Sequence, residues 1–240
     1  MGPQLHNDGE LQRTEYATQE EIGWARSLSQ SVEEFDPWAS QSMFLVSRDS
    51  ADAGIVAAAR LLVPDENVPN KTMSDASRIL KMPYTSVVSW FDMSLGVRPE
   101  TAVDWALLSF AHNTSGSRRG HHADALFRVG LILGLALMDH RITHYTACNE
   151  YTFHQAITRR FGLPFAALTD SDGDPVELDY FAIGAPKSAR TIPSALPLST
   201  APELMRRPTT NHHLRTVVDL RTTFPSLATR WGAQSRATDG

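Results

Sequence analysis

Several groups of residues carry side chains able to do chemistry, and their spacing limits which chemistry. His121-His122 and His212-His213 are adjacent pairs with no third ligand at metal-binding spacing, so a zinc site is not expected. Asp170-x-Asp172-Gly173-Asp174 puts its glycine in the wrong place for a calcium loop, and Phe181 stands where the closing glutamate is required. There is no Gly-x-Ser-x-Gly elbow and no Walker loop, and Cys148 falls inside an apolar run with no base beside it. These absences argue against a nucleophilic hydrolase. What remains is acid–base and binding chemistry: the acidic–aromatic run Glu33-Glu34-Phe35-Asp36, Asp92 and Ser94, the basic pair Arg118-Arg119 before Gly120, and Tyr151 with His154. Arg118 and Arg119 next to a helix start suit an anion, because the first backbone N–H groups of a helix are unpaired and its dipole favours negative charge.

The 240-residue chain carries a net charge of −5, against the basic footprint that nucleic-acid binders need. A single cysteine rules out an internal disulfide and suits a reducing compartment. Met1 to Gln19 is polar with no apolar core, which predicts no signal peptide, and Val129 to Met138 is too short to span a bilayer. The expected location is the cytoplasm.

The elements that must position these residues follow from periodicity. Gln19 to Ser31 reads as a helix, with Ile22, Ala25 and Leu28 on one face. Ser42 to Arg48 and Ile55 to Leu62 read as a hairpin, and Ser74 to Lys81 as a short helix closed by Pro83. The β-branched and aromatic stretch Ser86 to Val97 predicts a strand. Pro99 then predicts the start of a helix running to about His112. Ala123 to His140 is apolar nearly all round and predicts a buried helix, with Gly130 and Gly134 placed to let another backbone come close. Thr143 to Cys148 reads as a strand, Glu150 to Phe161 as a helix ended by Gly162, and Phe165–Thr169 with Val176–Ile183 as a second hairpin. The expected division is a flexible leader over 1–18, a domain over 19–184, and a Pro/Ser/Thr-rich tail of low order over 185–240 with one short helix.

This order, with Glu33-Glu34-Phe35-Asp36, Arg60-Leu61-Leu62-Val63-Pro64 on the second hairpin strand, and Leu126 to Leu168, resembles the acyl-homoserine-lactone synthases. It equally resembles the long-chain N-acyl amino acid synthases, both within the GCN5-related N-acyltransferase superfamily. The resemblance covers roughly Ile22 to Ile183. It implies an α/β (α+β) acyl-CoA N-acyltransferase-like fold: a mixed, mainly antiparallel sheet flanked by helices, with two splayed central strands. The lactone synthases' central strand reads Trp-Glu-x-Ser-Arg-Phe. Aligned on Trp90, the chain has Phe91 and Ser94 at the charged positions, and a slip of one residue brings in Asp92. The alternative stretch, Asp104-Trp105 to Phe110, lacks both charges.

The resemblance implies direct attack by an amine on a thioester held between Ser86–Val97 and Thr143–Cys148, with a backbone N–H near Met93 to Leu95 stabilising the oxyanion. Asp92 is the expected base, with Ser94 beside it, and Glu33 and Asp36 orient the amine. Arg60 binds an acceptor carboxylate or holds the acidic pair. Trp24 and Trp38 cover the acceptor, with Trp90 among the substrate-binding residues. Asn149 supports the neighbouring backbone, and Tyr151 and His154 are the groups there able to protonate the leaving thiolate. Arg118, Arg119 and Gly120 receive the donor's phosphate. The implied donor is the phosphopantetheine thioester of an acyl carrier protein, or acyl-CoA, with no metal. The implied acceptor is a small amine derived from an amino acid. Two alternatives stay open: a catalytically lapsed protein of this fold that binds an acyl ligand or carrier protein, and an acetyl-CoA-dependent N-acetyltransferase.

Overall fold

The computed structural model describes residues 4–7, 10–16, 38, 41–48, 55–111, 114–138, 141–160, 162–180, 189–206 and 215–217. The strands are β1 (Gln4–Asn7), β2 (Glu10–Tyr16), β3 (Ser42–Arg48), β4 (Ile55–Leu62), β5 (Ala102–Phe110), β6 (His144–Glu150), β7 (Ala166–Ala167), β8 (Leu178–Tyr180), β9 (Ala189–Pro197) and β10 (Arg215–Val217). They form one sheet in the order β10-β1-β2-β3-β4-β5-β6-β9-β7, with β8 also on β9. Each pairing is antiparallel except β5 with β6, which run parallel. A parallel pair needs a long crossover. Helix α3 (Gly116–Met138) supplies it.

Helices cover both faces. Val103, Trp105, Tyr145, Ala147 and Leu196 point into one core with Leu126, Val129 and Leu133 of α3. Ala102 and Ala195 point the other way, into a core built by Met73 and Ala76 of α1 (Lys71–Leu80) and Val87 and Phe91 of α2 (Tyr84–Leu95). The strands are therefore buried on both sides, as Ala57, Ala58 and Ala59 in succession show. No helix among the described residues is long and apolar enough to cross a membrane.

The first hairpin, the helix before Pro83, and the β6–α4 step (α4, Tyr151–Arg160) lie close to where the sequence predicts them, whereas α3 starts at Gly116, seven residues before the predicted Ala123, and so takes in Arg118, Arg119 and Gly120. Two elements are exchanged. Ser86 to Val97, read as a strand, is most of α2. Its buried Val87 and Phe91 are one helical turn apart, Thr85, Ser86, Ser89 and Met93 face out, and Gly96 ends it with φ of 67°. That arrangement has a period of 3.6, and β-branched residues in it are overruled by burial. Ala102 to Phe110, within the stretch read as a helix, is instead β5, and Pro99 opens only a three-residue 3-10 turn, Pro99–Thr101.

The two ends also differ from the expected leader and tail. The leader supplies β1 and β2. The Pro-rich stretch supplies β9, buried from Thr191 to Leu196, and then α5 (Ala201–Arg206). Prolines 193 and 197 hid β9, since proline normally marks a strand as peripheral. Here β9 pairs with β6 on one side, while the Pro193 carbonyl accepts from the Leu168 N–H on the other. The second predicted hairpin is only partly zipped. Val176 N donates to Leu168 O, and Asp170 Oδ1 accepts from Asp172 N and Asp174 N, but β7 and β8 each lie on β9.

Gly130 and Gly134 admit side chains rather than a backbone. A Cβ at Gly130 would lie 2.5 Å from Trp105 Cζ3, and one at Gly134 would lie 2.5 Å from Leu198 Cδ2 and 3.1 Å from Tyr145 Cε2. The Tyr145 hydroxyl donates to Gly130 O at 2.5 Å. Gly→Ala in a helix ordinarily stabilises. Here Gly130→Ala is expected to lower unfolding stability by about 1–3 kcal/mol, because the rigid indole must shift. Gly116→Ala, with open space around it, is the control. Thermal unfolding of the two variants checks the difference in sign.

Candidate active site

The two parallel strands pair over only three positions, Ala102–His144, Val103–Tyr145 and Asp104–Thr146. β5 continues six residues further and β6 four, without pairing to each other, so a fork opens toward their C-terminal ends. At the fork β5 carries a bulge. Arg60 of β4 opposes Leu107 and Leu61 opposes Trp105, which leaves Ala106 as the extra residue. A bulge bends the strand and re-aims its backbone groups. Because the strands are parallel, the N-termini of the next helices, α3 after β5 and α4 after β6, start at this same edge of the sheet.

The last paired residues of the fork form a buried polar junction with α1. Asp104 is 2% exposed, and its Oδ2 accepts from Thr72 N at 2.7 Å and from Thr146 Oγ1 at 3.2 Å. Asn70 Nδ2 donates to Thr146 Oγ1 at 3.0 Å, while Asn70 Oδ1 caps α1 by accepting from Met73 N. The Asn70 N–H in turn donates to the Tyr84 hydroxyl. Asp104 thus occupies the N-terminus of α1, where a carboxylate is favoured. Even so, burial pushes its pKa up from 3.8 to about 6, against the lowering contacts of Thr72 and Lys71. Lys71 pairs with Asp75 at 2.6 Å and sits 4.9 Å above the Trp38 ring.

Arg118, Arg119 and Gly120 lie in the first turns of α3, with both arginines exposed. The Arg119 guanidinium stands over Phe110, the last residue of β5, at 5.9 Å. Deeper on the same helix, His122 is buried against Ser47, Nδ1 to Oγ 2.8 Å. Burial, then Arg118 and His121, hold its pKa down to about 4.

Of the residues proposed from sequence, the structure brings some to the fork and removes others. Asp92 and Ser94 belong to α2, not to a central strand. Asp92 pairs with Arg98 at 3.1 Å and Ser94 is exposed, so neither lines the gap between β5 and β6, and the same holds for the backbone from Met93 to Leu95. Trp90 donates from Nε1 to Thr169 O and pins α2 to the Asp170 turn. Asn149 is buried and donates to Ser194 Oγ, an interior bond between β6 and β9. Arg60 remains near, beside the bulge, donating from Nε to Ser42 Oγ at 2.9 Å with its guanidinium over Phe44. Trp38 donates to Pro69 O next to Asn70, and Tyr151 opens α4 at the end of β6. His154 comes next on α4, where burial lowers its pKa. Cys148 donates to Thr191 Oγ1, and burial pushes its thiol up to about 12, so it is not a nucleophile. Glu33, Asp36 and Trp24 lie outside the described residues. Sequence reasoning missed Asp104, Thr146 and Asn70. The available signal was a lone carboxylate inside the apolar run Ala102-Val103-Asp104-Trp105-Ala106-Leu107.

No protein-family model and no curated protein sequence matches the chain. Solved structures do. FeeM, an N-acyl amino acid synthase from uncultured soil microbes, is 10% identical over 81% of this chain and 96% of its own, with a TM-score of 0.53. A spermidine N-acetyltransferase chimera from Vibrio cholerae and hSSAT is 8% identical over 79% and 98%, with a TM-score of 0.48. The chain has an acyl-CoA N-acyltransferase-like fold.

The Asp104 junction sets a pH dependence. Between about pH 4 and 6 the native state holds a proton that the unfolded chain has released, so the Asp104 contribution to stability falls as pH rises through that window. His122 works the other way, since its native pKa is depressed and stability is gained as pH rises from about 4 toward 6.5. Only a difference measurement isolates the carboxylate. Asp104→Asn is expected to gain about 3 kcal/mol relative to wild type between pH 4 and pH 7, read by denaturant unfolding at each pH. A constant difference would contradict the assignment.

Proposed function

We propose that this protein is an N-acyltransferase that moves an acyl group from a thioester onto the amine of an amino acid or amino-acid-derived acceptor. The observation that carries the reading is the fork: two parallel strands that pair for three residues and then part, with a bulge at the branch point. An extended pantetheine arm fits such a gap as an added strand, bonding to the free backbone edge of β5.

The donor's phosphate then falls at the start of α3. Two arginines in the first turn of a helix oppose its dipole, and an anionic ligand removes that penalty. Backbone N–H groups at the Ala106 bulge are assigned to the thioester oxygen, a contribution of about 3 kcal/mol when aligned. Asp104 takes the role first expected of Asp92. Both of its bonds among the described residues fall on Oδ2, and a carboxylate with a pKa of about 6 is ionised near neutrality yet basic enough to accept a proton. It removes one proton from the acceptor's ammonium. The amine attacks the carbonyl carbon, the C–N bond forms, the C–S bond breaks, and the amine's second proton leaves on the thiol.

Arg60 is assigned to an acceptor carboxylate and Trp38 to the cover over it. The donor is assigned as acyl-CoA or an acyl carrier protein, used in the cytoplasm. The presence of the same fold in an N-acyl amino acid synthase supports an amino-acid acceptor.

Purified protein mixed with acyl-CoA or acyl carrier protein and an amino-acid mixture is expected to release thiol and form N-acyl product, read by mass spectrometry. Failure of every donor to bind or to release thiol would sink the reading, and donor binding without product would leave a ligand-binding protein. Asp104→Asn is expected to lower kcat by about 10²-fold or more, with loss of the acid limb near pH 6. Arg118→Ala with Arg119→Ala is expected to raise the donor KM and flatten its salt dependence, leaving kcat within a few-fold.

A further inference from the structure

Asp104 is 2% exposed, so a carboxylate that exchanges protons with anything outside the protein needs part of the fold to move. The segment lying over it is the head of α1. The chain reaches that head through a loop, Pro64 to Pro69, in which Asp65, Glu66, Asn67 and Pro69 are exposed and one bridge joins Asp65 to Val68. Four hydrogen bonds then fasten the head: Trp38 Nε1 to Pro69 O, Asn70 N to the Tyr84 hydroxyl, Asn70 Nδ2 to Thr146 Oγ1, and Thr72 N to Asp104 Oδ2. Apolar anchorage starts one residue later, at Met73 and Ala76, which share a core with Val87 and Phe91 of α2. The polar fastening is incomplete. Thr72 Oγ1 is buried without a hydrogen-bond partner, and Asp104 takes both its bonds among the described residues on Oδ2 rather than Oδ1. A buried polar atom left unpaired is costly, and water satisfies both atoms once the head lifts.

We propose that the head of α1, Pro69 to Thr72, is a gate over Asp104 that opens locally while the rest of the fold stays closed, and that the charge on the carboxylate favours the open state. The direction follows from burial. The closed gate holds the carboxyl in a site that raises its pKa to about 6, and an open gate returns it toward the ordinary 3.8. Opening therefore releases a proton and becomes easier as pH rises from about 4 toward 7. Among the described residues, the groups facing Asp104 are Lys71 and Asp75 of α1, paired with each other, Tyr84 of α2, and Thr146 and Cys148 of β6, while β4 presents Leu62. Burial raises the Tyr84 hydroxyl above 10 and the Cys148 thiol to about 12, so neither titrates in that window. The gate does not depend on the acyl-transfer reading, although within that reading it gives water and the acceptor amine their access to the base.

Amide hydrogen exchange of the full chain, with no substrate present, tests the gate. Rates are divided by those of an unstructured peptide at the same pH. Protection at Thr72 and Met73 is expected to be at least about 10²-fold below that at Tyr145 of β6 and insensitive to low denaturant, the mark of a local opening. It is expected to fall a further tenfold or more, roughly, between pH 4 and pH 7. In Asp104→Asn that pH dependence should vanish. In wild type, which answers the question even if the variant does not fold, protection should level off at the pH where the Asp104 carboxyl carbon finishes titrating by NMR. Protection at Thr72 and Met73 equal to that at Tyr145, with the same denaturant dependence, overturns the gate. A pH dependence that survives Asp104→Asn, runs the other way, or departs from the carboxyl titration overturns the role of the charge. A protein that passes this test and transfers no acyl group keeps the gate and loses the transfer reading, so the two failures are distinguishable.

Discussion

The carboxylate of Asp104 accepts hydrogen bonds from two groups far apart in sequence, the Thr72 N–H at the head of α1 and the Thr146 hydroxyl on β6. Those bonds tie together three elements at the point where the sheet divides: β5, which carries the aspartate, its parallel neighbour β6, and the helix that covers them. Asn70 closes the arrangement by capping α1 with one side-chain atom and holding Thr146 with the other. A buried carboxylate is an expensive way to fasten a helix. Its raised pKa records that expense. In the proposed reaction the same property suits it to moving a proton near neutral pH, so the group that fixes the fork's geometry is also the one assigned to act there.

The alternation of the strand divides the labour on either side of that point. Asp104 faces the α1–α2 layer, where Lys71, Trp38 and the polar side chains gather. Trp105, one residue on, faces the α3 core, where neighbours are aromatic or aliphatic. Polar and apolar surroundings are thus separated by a single backbone step. The bulge at Ala106 interrupts the β4 pairing where the two environments meet. Crossing from one parallel strand to the next requires α3, and its direction brings the basic first turns to the open end of the fork.

Much of this arrangement is legible in the order of residues alone. The hairpin of β3 and β4, the all-round apolar character of α3, and the strand–helix step into α4 come from periodicities that burial then respects. The arginine pair is readable as a basic element next to a helix start, although the helix begins before it, at Gly116. The exchange of α2 and β5 is not readable, because Ser86 to Val97 has strand-like residues at helical spacing, and Pro99 resembles a helix start. That one error carries the expected base to Asp92, twelve residues before the carboxylate that lies at the fork. Asn149 and Trp90, likewise read as site residues, hold β9 and the Asp170 turn in place.

By itself the sequence determined the class of fold, the impossibility of an internal disulfide, and the identity of the segments that form the buried helix and the strand and helix after it. These depend on local composition and on spacings within a few turns or strand residues. The tertiary structure alone decided which strand neighbours β6, that the Pro-rich stretch supplies β9, and which carboxylate meets the fork. Each of these depends on pairings between segments distant in sequence, such as Asp104 with Thr146 and Cys148 with Pro193. Local propensity does not encode such pairings, and they are settled only when both faces of a strand find partners in a packed core.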